Sequence, residues 1–156
     1  MKAFIRLANE IINNEYLEEV DRLVVKQLVY RLKLDLSQFE EVNEKIKGQM
    51  ELEADLVYLL SKYRKLTDER KFELEEQEAE VLLDVPHRNP DGYKTGAKEF
   101  RAHQLLDPNV AVERRRNSLA AALYHDLQNL SAMVFGRNKK LNELSVNYRK
   151  EMAADH

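Results

Sequence analysis

The chain has 156 residues, of which 34% are charged and 44% hydrophobic, about the length of one domain. The absence of cysteine excludes disulfide frameworks, cysteine-based metal sites and thiol nucleophiles, and Gly48, Gly92, Gly96 and Gly136 are too scattered for a phosphate-cradling loop. The formal charge of −3 hides a split: residues 1–84 carry 13 Lys/Arg against 20 Asp/Glu, while residues 85–156 carry 12 against 8.

Apolar side chains at helical spacing predict a first helix over residues 3–13. Asn13-Asn14 interrupts it, and either Asn can cap the next helix. From Glu15 to Lys47 the apolar positions are Leu17, Val20, Val24, Leu28, Leu32, Phe39, Val42 and Ile46. Their steps of three and four predict an amphipathic helix, broken near Asp35-Leu36-Ser37. Gly48 is a stop or soft joint. A second long helix runs from Met50 to Leu83, with a seam of Leu52, Leu56, Leu59, Tyr63 and Leu66 that fades into the acidic run Glu69–Asp84.

Residues 84–94 form a predicted basic loop, because Pro86, Pro90 and Asp91-Gly92 are turn residues. A short helix is predicted next, over Thr95–Leu106. Asp107-Pro108 reads as an N-cap with proline at the first helical position, where the missing donor costs nothing. The last predicted helix, 108–152, carries Ala120, Leu123, Leu127, Leu130, Val134, Arg137, Leu141, Leu144 and Tyr148 at alternating steps of three and four. That is coiled-coil spacing. At 1.5 Å per residue the helix would be roughly 65 Å long. Its stripe calls for cover from the second long helix, from other copies of the chain, or from both. Arg137 is the charged exception in the stripe, and is costly there unless paired, hydrogen-bonded or solvated. It is read as setting register or pairing.

Little supports an enzyme. His87, His103, His125 and His156 form no HExxH motif, and none follows a Glu by three residues as a bundle metal site requires. Ser118, Ser131 and Ser145 lie inside the long helix with no nucleophile elbow. No cofactor is expected. No apolar run approaches the roughly 18 residues of a membrane span. The opening MKAFIRLANEIINNEY has neither the apolar core nor the cleavage site of a signal peptide, so the expected compartment is the cytoplasm.

Cations interleaved with aromatic rings suit single-stranded nucleic acid: the cations neutralise phosphates and the rings stack on unpaired bases. Arg88, Tyr93, Lys94, Lys98, Arg101, Arg114, Arg115 and Arg116 are the principal candidates, with Phe100 and His103 among them. Lys62, Arg64 and Lys65 form a second basic cluster, and Lys139 and Lys140 a third. The competing reading packs Tyr93 and Phe100 onto the long helices and pairs the basic groups with acids of the second helix.

The run GYKTGAKEFRAHQLLDPNVAVERRRNSLAAALYHDLQNLSAMVFGRNKKLNEL, residues 92–145, resembles the C-terminal half of the UvsY-type recombination mediators of bacteriophages. The likeness lies in a Tyr-Lys loop, a short charged helix, and an Asp followed three residues later by Val. A long helix then carries Leu123 and Arg137, with a basic patch after it. Lys62-Tyr63-Arg64-Lys65 sits about where that family has a basic single-strand-binding stretch, while the first 50 residues depart from the family. The resemblance implies a non-enzymatic homo-oligomer that binds single-stranded DNA, remodels a single-strand-binding protein and loads a RecA-like recombinase. The family's C-terminal helices assemble subunits into a ring. By that reading the oligomer seam is Leu123, Leu127, Leu130, Val134, Arg137, Leu141, Leu144 and Tyr148.

The expectation is therefore an all-α protein of long antiparallel helices. Residues 1–49 would be a helical arm and residues 50–156 a hairpin-like core. The rival is a phage helical adaptor or host-factor-binding protein that works through its acidic segment, since a run of carboxylates meets basic partners.

Overall fold

The computed structural model describes residues 2–32 and 39–155. These form six helices and no strand: α1 (Lys2–Ile12), α2 (Glu19–Arg31), α3 (Phe39–Lys47), α4 (Gln49–Leu83), α5 (Ala97–Leu106) and α6 (Pro108–Ala154). The protein is all-α. The break expected near Asp35–Ser37 lies outside the described residues. The chain divides into two compact units, one of residues 1–62 and 123–156, the other of residues 63–122. Helices α4 and α6 each contribute one stretch to each unit.

In the first unit the apolar spacing of α1 buries Leu7, Ala8 and Ile11. Neither Asn13 nor Asn14 caps α2, contrary to expectation. Asn14 Oδ1 instead accepts from the Tyr16 amide at 2.9 Å, and α2 begins after Glu18 with no side-chain cap. The phase of α2 differs from the expected one. Its buried residues are Asp21, Val25 and Leu28, while Val20 is exposed. Gly48 is the single residue between α3 and α4, and its carbonyl already accepts from the Leu52 amide.

The remaining core of this unit is Leu17, Val42, Leu52, Leu56 and Leu59, with Leu123, Leu127, Leu130, Val134 and Leu141 of α6. This corrects the seam argument. The stripe from Leu123 to Leu141 is buried by the chain itself, because α1–α3 and the first half of α4 supply enough apolar surface. Arg137 within the stripe and Leu144 and Tyr148 further along are half-buried. The stripe by itself therefore does not demand other copies. Among the described residues of the first 49, Leu7, Ala8, Ile11, Leu17, Val25, Leu28 and Val42 are buried in this unit.

In the second unit α4 and α6 run antiparallel. Thr67 Oγ1 donates to the Ala120 carbonyl at 3.2 Å, and further along α4 Glu78 meets Arg114, earlier in α6. The buried apolar residues here are Tyr63, Val85, Val110 and Ala120. Helix α6 starts as its sequence dictates: Asp107 Oδ1 accepts from the amides of Asn109 at 2.8 Å and Val110 at 3.1 Å, with Pro108 opening the helix.

Candidate nucleic-acid interface

Residues 84–96 of the second unit fold as a small closed hairpin. Arg88 and Lys94 form an isolated antiparallel bridge. At the tip the Gly92 amide donates to the Asn89 carbonyl at 2.9 Å, and the Tyr93 amide to Asn89 Oδ1 at 2.9 Å. Pro90 takes the second place of this turn, and Gly92 adopts φ +83°, which only glycine reaches at low cost. The base closes where Thr95 Oγ1 donates to the Pro86 carbonyl.

This closure brings Arg88, Tyr93 and Lys94 together. The two cations face each other across the bridge, where like charges repel. Arg88 turns inward to the Gly92 carbonyl at 2.9 Å. Tyr93 is 73% exposed and so does not pack on a long helix. Lys98 and Arg101 lie three residues apart on α5, both exposed. Phe100 is half-buried in the wall of a groove of about 610 Å³ that Arg101, His87 and Leu82 also line. Thus one aromatic ring is available for stacking, and the other serves packing.

Of the other expected cations, Arg114 and Arg116 are committed to carboxylates. Arg114 reaches Glu78 Oε1 through Nη2 at 2.6 Å and Nε at 3.1 Å, and Gln104 holds the Glu78 carbonyl at 3.0 Å. Arg116 pairs with Glu113 at 2.7 Å on the same helix and stays half open to solvent. Arg115 is exposed. Arg64 and Lys65 are exposed on α4, with Lys65 3.8 Å from Glu69.

Lys62, Lys139 and Lys140 belong to the first unit. Lys139 and Lys140 are exposed. Lys62 is not a free phosphate ligand, as the basic-cluster reading had it. Its Nζ donates to Asp21 Oδ2 at 2.7 Å and Glu18 Oε2 at 2.6 Å, and lies 5.7 Å from the Tyr58 ring centroid. Burial by itself would lower the Lys62 pKa, but the bonds to Asp21, Glu18 and Tyr58 outweigh it and hold the ammonium well above its ordinary value. Asp21 is the residue that sequence reasoning missed. Its signal was its place in the apolar register Leu17, Asp21, Val25, Leu28, which put a carboxylate among core positions.

Arg137 is half-buried, and burial lowers its pKa. No carboxylate pairs with it among the described residues. Nη1 donates to Asn138 Oδ1 at 3.1 Å, and Asn138 Nδ2 donates to Glu53 Oε1 at 2.8 Å. Gln49 Nε2 closes the cluster on the Asn138 carbonyl at 3.3 Å. The polar break in the stripe is thus a hydrogen-bonded joint between the start of α4 and the middle of α6.

Among the described residues no three His, Asp or Glu side chains are grouped to hold a metal ion, and no helix is long and apolar enough to cross a membrane. The fold and site together define an all-α protein with a cationic hairpin and helix surface in its second unit. No protein-family model matches the chain, and neither curated proteins nor solved structures yield a match.

Proposed function

We propose that the protein is a non-enzymatic, oligomeric single-stranded DNA-binding mediator of the cytoplasm. It would displace a single-strand-binding protein and load a RecA-like recombinase. The observation that carries the reading is the hairpin tip, where an exposed Tyr93 neighbours Lys94 in the chain and Lys94 bridges Arg88. Lys98 and Arg101 on α5 and Arg115 on α6 extend the cationic surface. The resemblance of residues 92–145 to UvsY-type mediators supplies the recombination context. Lys62 and Arg114 are left out of the contact set because each is held by a carboxylate. Assembly rests on that resemblance and on the half-buried Leu144 and Tyr148.

The test is fluorescence anisotropy with a single-stranded oligonucleotide at several salt concentrations. Binding should weaken steeply with salt, because phosphate contacts release counterions. Affinity indifferent to salt removes phosphate contact as the mechanism. A second reading, a helical adaptor, is favoured by one observation. Glu73, Glu75, Glu76 and Glu80 are exposed on the same helix as the exposed Phe72 and Leu83, so acids and apolar surface lie together. A stable protein complex without oligonucleotide binding would decide for it.

A further inference from the structure

Three cations of the first unit, Arg31, Lys45 and Arg137, line one cleft of about 260 Å³ with Glu44, Gly48 and Glu51. Arg31 is neutralised by Glu51 at 3.1 Å. No carboxylate pairs with Lys45 or Arg137 among the described residues.

Arg137 is the informative member. Asn138, itself held by Glu53, occupies only Nη1. Nε and Nη2 are shielded and have no hydrogen-bond partner within the chain. These two nitrogens share one edge of the guanidinium, the edge that grips a planar or tetrahedral oxyanion through two parallel N–H bonds. Buried donors left without acceptors are rare and destabilising. An acceptor that satisfies both at once is therefore favoured beyond its charge alone.

We propose that this cleft binds a phosphate group, forked by the Nε–Nη2 edge of Arg137 and held by Lys45. Because the edge is shielded, binding includes a rotation of the Arg137 side chain toward the cleft, and the unmade donors drive it. Two cations suit a doubly charged phosphate better than a singly charged carboxylate. Glu44 opposes them and limits affinity. The phosphate comes either from a small ester or from a nucleic-acid backbone. The site does not depend on the reading of the second unit: loss of single-strand binding with phosphate binding intact would remove only that reading.

The intact protein is titrated with inorganic phosphate at constant ionic strength, with chloride and acetate as controls, and followed by calorimetry and by the arginine Nε–H resonances. Phosphate should bind saturably and shift the Arg137 Nε–H signal, and acetate should bind more weakly. Arg137→Lys, which keeps the charge and loses the fork, should weaken binding about tenfold. Lys45→Ala should weaken it, and Glu44→Gln should tighten it severalfold. Glu44 is exposed, so that variant tests the site even if Arg137→Lys does not fold. Phosphate binding no stronger than chloride, or unmoved by Lys45→Ala and Glu44→Gln, overturns the proposal. Competition by a single-stranded oligonucleotide assigns the phosphate to a nucleic-acid backbone. Competition by ribose 5-phosphate alone assigns it to a small ester. Both outcomes uphold the site.

Discussion

The first unit buries fifteen apolar side chains among the described residues; the second buries only Tyr63, Val85, Val110 and Ala120. The same two helices, α4 and α6, serve both. In the first unit they meet three further helices, and their apolar stripes disappear inside. In the second they meet one another, a hairpin and α5, whose residues are none of them buried. Exposed apolar side chains occur in both units, Leu83 at 84% in the second and Met50 at 81% in the first; the difference lies in how many are buried. Local stability tracks buried apolar area, and binding surfaces are drawn from the less stable parts of a fold. Core substitutions in the first unit should therefore register as stability, and substitutions on the cationic surface of the second should register as single-strand binding if the proposed function holds.

The strongest challenge to this division is a core truncation. Leu127→Ala in the first unit should cost about 2–5 kcal/mol in urea unfolding, the range for leucine cavities. Leu106→Ala in the second should stay within about 0.5 kcal/mol, as exposed substitutions do. Equal costs would erase the distinction between the units.

Next in size is the buried ion pair. Asp21→Asn should destabilise by about 3 kcal/mol, because it removes the buried carboxylate from a partly buried ammonium. The pH dependence has a definite sign. The folded-state pKa of Lys62 is raised, so its contribution is complete below the ordinary lysine value and is lost only as pH rises through the higher folded value. Urea melts should therefore show the penalty of Asp21→Asn undiminished at neutral pH and shrinking only in strong alkali. A penalty that vanishes between pH 7 and 9 would contradict the pairing.

In the second unit, replacing Lys94, Lys98 and Arg115 together by Gln should weaken single-strand binding at least about tenfold. The salt slope should fall by about 0.7 for each phosphate no longer neutralised. Thermal unfolding should hardly move. An unchanged slope would remove this surface from the interface.

The smallest expected effect lies at a helix start, where the second unit holds a stabilising device. Asp107→Ala should cost about 1 kcal/mol, since two amides of α6 lose their acceptor. Asp107→Asn should restore most of it in the same melts.

Periodicity made the helices legible. The ends of α1, α4 and α6 fall within two residues of where apolar spacing and caps put them. The Asp107-Pro108 start is a local device whose donors and acceptor lie within three residues, so it needs no tertiary knowledge. The hairpin turn at Pro90-Asp91-Gly92 is legible for the same reason, because φ preferences are local.

The candidate interface was legible only as a set of cations. Arg114 and Arg115 are neighbours with identical chemistry, yet Arg114 is half-buried against Glu78, 36 residues away, and Arg115 is exposed. Lys62 and Lys65 likewise differ because Asp21, 41 residues from Lys62, lies inside the core beside it.

Thus composition and spacing determined an all-helical chain, its α6 cap, its turn and its polarity of charge, since each depends on residues a few positions apart. Tertiary structure alone decided which stripe is covered by the chain itself, which cations are spent, and that Arg137 shares a cleft with Lys45. Those outcomes depend on which helices meet, and packing brings together residues that the sequence keeps far apart.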